Sequence, residues 1–130
     1  MSSFILKNRE FDIVPNLLLE AAPGFSQSVE FRALTEREQR APGLVCAAFT
    51  NYFLRLQEAP LRGEGGESEP AALEQCYAAI ERLASSSDPA VNNLVVVEVF
   101  EHIPGPVALE SEIKSRLKPR SLALHNRWVH

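Results

Sequence analysis

The stretch that most constrains this fold is residues 88–103, DPAVNNLVVVEVFEHI. Val95, Val96, Val97, Val99 and Phe100 are β-branched or aromatic, a chemistry that suits a strand. An apolar run this short fits either a buried strand or a buried helix. The opening of the segment favours a helix. Asp88 can accept a hydrogen bond from a free amide of a first turn, and Pro89 suits the first helical position, where a missing N–H costs nothing. Asn92, Asn93, Glu98, Glu101 and His102 can then share a narrow polar stripe. A lone strand would need partners, and few other segments read as strands. A helix that is apolar nearly all round is usually buried on most sides. Val91, Leu94, Val95, Val99 and Ile103 are therefore the predicted centre of the core.

The segment before it, 70–87, reads as the partner helix. Leu73, Cys76, Tyr77, Ile80, Leu83 and Ala84 recur at steps of three and four, which places them on one side. Glu74, Gln75, Glu81 and Arg82 fall on the other side, toward water. Pro70 fits the helix start, and the hydroxyls of Ser85, Ser86 and Ser87 compete for backbone hydrogen bonds and weaken its end.

The rest of the chain supplies further rods. Residues 1–10 read as a loose arm. Residues 12–22 form a first helix with Val14, Leu17, Leu18 and Ala21 on one face and Pro15 in its first turn, ended by Pro23-Gly24. A short helix over 25–34 is expected to face Phe25 and Val29 inward. Thr35 and Glu38 have the spacing of a capping box, which predicts a short turn at 36–40. Pro42 then opens a long helix, Pro42–Glu58, with Leu44, Val45, Ala48, Phe49, Tyr52, Phe53 and Leu56 as its apolar face. Residues 59–69, APLRGEGGESE, have little to bury and form a mobile loop made acidic by Glu64, Glu67 and Glu69. After the turn Ile103-Pro104-Gly105-Pro106, a helix over 107–117 carries Leu109, Ile113 and Leu117 at steps of four. Pro119 opens a last helix with Leu122, Leu124, Trp128 and Val129, and Trp128 is its anchor on the body. The reading is an all-α, single-domain helical bundle of about five to seven helices, or an α-solenoid built from the same helix pairs.

At 130 residues and 45% hydrophobic content, one domain can build its core without metal or disulfide staples. Cys46 and Cys76 lie among apolar residues and read as buried, reduced thiols. A net charge of −4 argues against a nucleic acid as the main partner, because phosphate binding needs a basic patch. The start of the chain carries no signal-peptide pattern, and no run of about 18 apolar residues exists to span a membrane. The expectation is a soluble cytoplasmic protein with no membrane partner.

Chemistry is sparse. Glu98 and His102 are four apart and could share a face as metal ligands do, but a second such pair for a dinuclear site is missing. A surface ion pair is the simpler role. Glu98 and Glu101 could serve as general acid and base, although carboxylates on such a helix more often mark its solvent side. Gly63 to Gly66 is glycine-rich, yet no strand precedes it and no Lys-Ser or Lys-Thr follows. Serine-nucleophile and paired-cysteine motifs are absent. Asn92 and Asn93 could reach a ligand, but amides near helix starts commonly have local partners.

The order of elements, DIVPNLLLEAAPGF, then LVCAAFTNYFLRLQE, then SDPAVNNLVVVEVFEHI, then LKPRSLALHNRW, resembles a family of small bacterial all-α proteins of uncharacterised function. Its members look like the immunity proteins of polymorphic toxin systems. The resemblance spans most of residues 10–129 and carries over no functional residue; the missing motifs leave no cofactor or metal expected. The resemblance implies a protein partner, such as a toxin domain. The first expectation is thus a non-catalytic protein-binding module, with Glu64, Glu67, Glu69, Glu98 and Glu101 as candidate partner-binding residues. A homodimeric scaffold is the alternative. A ligand carrier or enzyme using Glu98, His102 or Tyr77 in a pocket between helices comes third.

Overall fold

A computed structural model describes residues 9–58, 69–103 and 107–128. Among these all the regular structure is helical, with no strand. Helices α1 (Arg9–Asp12) and α3 (Val29–Arg32) are single turns. The larger rods are α2 (Val14–Ala21), α4 (Pro42–Glu58), α5 (Glu69–Ala84), α6 (Pro89–Leu94), α7 (Val107–Arg116) and α8 (Pro119–Trp128). The expected all-α bundle is therefore what the described chain forms. Of the expected loop over 59–69, Glu69 is instead the first residue of α5, and residues 59–68, with Glu64 and Glu67, lie outside the described residues. So do the start of the arm, the Pro104 to Pro106 turn, Val129 and the side chain of Trp128.

Helices α4 and α5 pack against each other, and α2 packs against both. Helix α4 buries Val45, Cys46, Phe49, Phe53 and Leu56 along one face, and α5 buries Leu73, Cys76, Tyr77, Ile80 and Leu83. Phe25 packs against Phe31, Phe49 and Tyr52 with ring centroids 5.2–5.5 Å apart, and Phe53 meets Tyr77 edge-on at 5.2 Å. Ring pairs of this kind add to simple area burial. Gly24 lets this cluster close up, since a Cβ there would stand 2.9 Å from the Tyr52 hydroxyl.

Several local signals act as expected. Thr35 and Glu38 form the reciprocal box: the Thr35 amide donates to Glu38 Oε1 at 2.8 Å, and the Glu38 amide donates to Thr35 Oγ1 at 3.2 Å. Asp88 caps α6 by accepting from the Ala90 amide at 3.0 Å. Other expectations are corrected. Leu44, expected on the apolar face of the long helix, is 49% exposed in its first turn. Val29 is 69% exposed, because Ser28 caps α3 and the turn then carries Phe31 inward instead. Glu10 belongs to no loose arm: its carboxylate accepts from the hydroxyls of Ser86 and Ser87 at 3.0 Å each. Glu81 does not simply face water; its carboxylate caps the start of α8.

The valine-rich rod is helical to His102 but not uniformly α. After α6 the chain makes a π-helical turn, Val95–Val99, then a 3₁₀ turn, Phe100–His102. The amide of Phe100 reaches the carbonyls of both Val95 and Val96. This extra residue corrects the phase of the segment. Counted at about 100° per residue from Val91, a straight α-helix would bring Glu98 and His102 to within roughly 20° of the core direction and put Phe100 on the opposite side. The π turn shifts the residues after it by one position, so Val99 and Phe100 are buried while Glu101 and His102 are exposed. The predicted polar stripe forms only in part: Asn93, Glu101 and His102 are exposed, while Asn92 is half-buried against the end of α5 and Glu98 is half-buried beside the start of α4. Ile103 ends half-buried at the edge of the core rather than at its centre.

Candidate functional site

Where the rod ends, Phe100 and Ile103 meet α7 and α8 around a recess of about 310 Å³, also lined by Glu101, Glu110 and His125. Each side chain is brought there by a distinct element. The π turn swings Phe100 inward and leaves Glu101 exposed at the rim. Helix α7 is held by Leu109 and Ile113, 4% and 1% exposed, and presents Glu110 at the surface between them. Helix α8 buries Ser121, Leu124 and His125 at steps of three and four.

His125 is only 2% exposed and meets the Phe100 ring edge-on, with centroids 4.9 Å apart. Burial, then the nearby Lys114 ammonium, lowers its pKa, against the opposing pull of Glu110. At neutral pH it is an uncharged floor for the recess. Glu101 and Glu110 are exposed, and neither forms an ion pair with a described lysine or arginine. The rim is thus negative and uncompensated by direct contact.

The remaining predicted residues lie elsewhere. Glu98 is half-buried beside the start of α4, with its Oε2 4.0 Å from where a Cβ on Gly43 would lie and its Oε1 3.7 Å from His102 Nε2. It does not join Glu101 at the recess. Glu69 opens α5, with its side chain outside the described set. Tyr77 is sealed in the core, where its hydroxyl donates to Gln57 Oε1 and Arg116 lies 4.8 Å above its ring. Burial, the largest influence, raises its pKa.

Burial also pushes both cysteine thiols up to about 12. Thiols held protonated in this way are poor nucleophiles and poor metal ligands. Among the described residues no group of three or more His, Cys, Asp and Glu is placed to hold a metal ion. A second, more open depression of about 450 Å³ beside Gln27, Val29, Arg32 and Ala33 carries no carboxylate.

Two recess residues, Glu110 and His125, escaped the sequence reading. His125 had a signal: Leu117, Ser121, Leu124 and His125 follow the i, i+4, i+7, i+8 pattern of an inward face. Glu110 had none, because an exposed glutamate on a modest helix looks like any other.

No described helix is long and apolar enough to cross a membrane. No curated protein and no solved structure matches the chain. A family model does match, over residues 15–130, nearly the whole of the described body. The chain belongs to that family, DUF7674, a domain of unknown function.

Proposed function

We propose that this protein is a non-catalytic protein-binding module that takes a basic side chain of its partner at the recess between the rod end, α7 and α8. The observation that carries this reading is the state of the two rim carboxylates. Several exposed or partly exposed glutamates elsewhere are engaged: Glu30 with Arg55 at 2.7 and 3.0 Å, Glu74 with Lys118 at 2.8 Å, Glu36 with Arg40 at 3.3 Å and Glu20 with Arg82 at 3.7 Å; Glu112 is exposed without an ion pair among the described residues, but it does not line the recess. Glu101 and Glu110 flank a concavity and have no such partner among the described residues. A lysine or arginine entering there would meet two carboxylates over an uncharged floor of Phe100 and His125. Opposite charge steers the encounter, and a buried anchor slows dissociation.

The buried thiols and sealed tyrosine support the non-catalytic part of the proposal. The likeness in element order to immunity proteins supports the finer reading, in which the partner is a toxin domain neutralised by being covered. The test is affinity capture from the native host with identification by mass spectrometry, run beside a Glu101→Lys, Glu110→Lys double variant. The expected result is one recurring partner with a basic surface, lost with the double variant. If that partner is a toxin domain, co-expression with this protein restores growth. Repeated recovery of no partner overturns the binding reading, and equal capture by the double variant removes the recess from it. Light scattering separates the proposal from a homodimeric scaffold, which would keep the doubled mass at every concentration measured.

A further inference from the structure

Thr50 lies on the buried face of α4, 1% exposed, directly against the π turn. Its Oγ1 is 2.6 Å from the carbonyl oxygen of Glu98 and 3.0 Å from that of Cys46 one turn back on its own helix. A threonine hydroxyl carries one proton, and the shorter contact marks the carbonyl that receives it. That carbonyl lies where the rod changes from π to 3₁₀ geometry, and such changes disturb the regular pairing of amides with carbonyls. Glu98 is half-buried at this turn, and a hydroxyl brought to its carbonyl from another helix stabilises the irregular turn over a straight one.

We infer that Thr50 is a positioning residue: its hydroxyl holds the π turn, and the π turn aims Phe100 inward and Glu101 onto the recess rim. This rests on the recess being the partner site, but its structural half can be tested alone. Without the inserted position the segment from Glu98 onward would turn by about 100° on the helix, carrying Phe100 out and Glu98 and His102 in. Thr50 thus touches no partner and still decides which side chains face one.

The experiment is a double-mutant cycle between Thr50→Val and deletion of Val97, the exposed residue within the π turn. Deleting Val97 removes the extra position, lets the rod run as α-helix and keeps the downstream residues in phase. In the intact chain Thr50→Val is expected to lower the urea midpoint, and Thr50→Ser to restore it. In the deletion background Thr50→Val is expected to have little effect, because the irregular turn that the hydroxyl holds is then gone. An equal loss in both backgrounds overturns the inference.

If the deletion variant does not fold, the crystal structure of Thr50→Val decides: an unchanged π turn overturns the inference, and a straightened or shifted one upholds it. The partner arm keeps the two ideas apart. Thr50→Val is expected to weaken capture of the partner by on the order of tenfold, with recovery in Thr50→Ser. If Thr50→Val leaves capture intact while Glu101→Lys abolishes it, the positioning role fails and the recess stands. If neither changes capture, the recess itself fails.

Discussion

Glu81 sits near the carboxyl end of α5, yet its carboxylate closes the first turn of α8. Its Oε2 accepts from the Arg120 amide at 3.0 Å, and its Oε1 accepts from the Ser121 amide and hydroxyl at 2.9 Å each. An unpaired helix start leaves amides without acceptors, and a carboxylate there also opposes the positive end of the helix dipole. Burial alone would raise the Glu81 pKa, but these hydrogen bonds outweigh it and hold the group below its ordinary 4.5. A carboxyl lowered in the folded state adds stability above its unfolded value, and that stability is lost as the pH falls through the folded one. Glu81→Gln is therefore expected to cost about 1 kcal/mol at neutral pH and to flatten the acid limb of stability below about pH 4.5. Urea unfolding across that range checks both. The helical period placed Glu81 toward water, and by geometry it was on the correct side of α5. A partner 39 to 40 residues away leaves no trace in local spacing, so the role could not be read from the residues around it.

At the scale of elements, the junction between α5 and α6 is the most legible part of the chain. The serine run ends one helix and Asp88-Pro89 starts the next, as each residue's chemistry requires. Asn92 adds what the pattern only hinted at. Its Nδ2 lies 3.1–3.4 Å from the carbonyls of Leu83, Ala84 and Ser86, so the first turn of α6 supplies a donor to the frayed end of α5. Asn92→Ala is expected to destabilise the fold by about 1–2 kcal/mol and to speed amide exchange at the end of α5 before other regions. Hydrogen exchange followed by mass spectrometry reads this directly. The π turn was not legible. A run of valines gives no phase of its own, and the insertion that reconciles Glu98, Phe100 and His102 with one helix depends on a hydroxyl from α4.

Across the whole molecule, two thiols lie in one continuous core, Cys46 on α4 and Cys76 on α5, both with 0% exposure. Native protein is expected to be inert to a thiol reagent such as dithionitrobenzoate. Both groups should react together in denaturant, at a rate set by global opening. A single thiol that reacts early would show that α4 and α5 separate before the rest. The core face of each helix was readable from periodicity, whereas the recess arises from three elements distant in sequence and was not. The Glu81 bridge has one more consequence, for the order in which the protein is made. The terminal helix borrows its starting acceptor from a rod synthesised much earlier, so a peptide covering 107–128 alone would fray at Pro119. On the ribosome, the last helix becomes firm only after it finds a carboxylate already waiting on the assembled body.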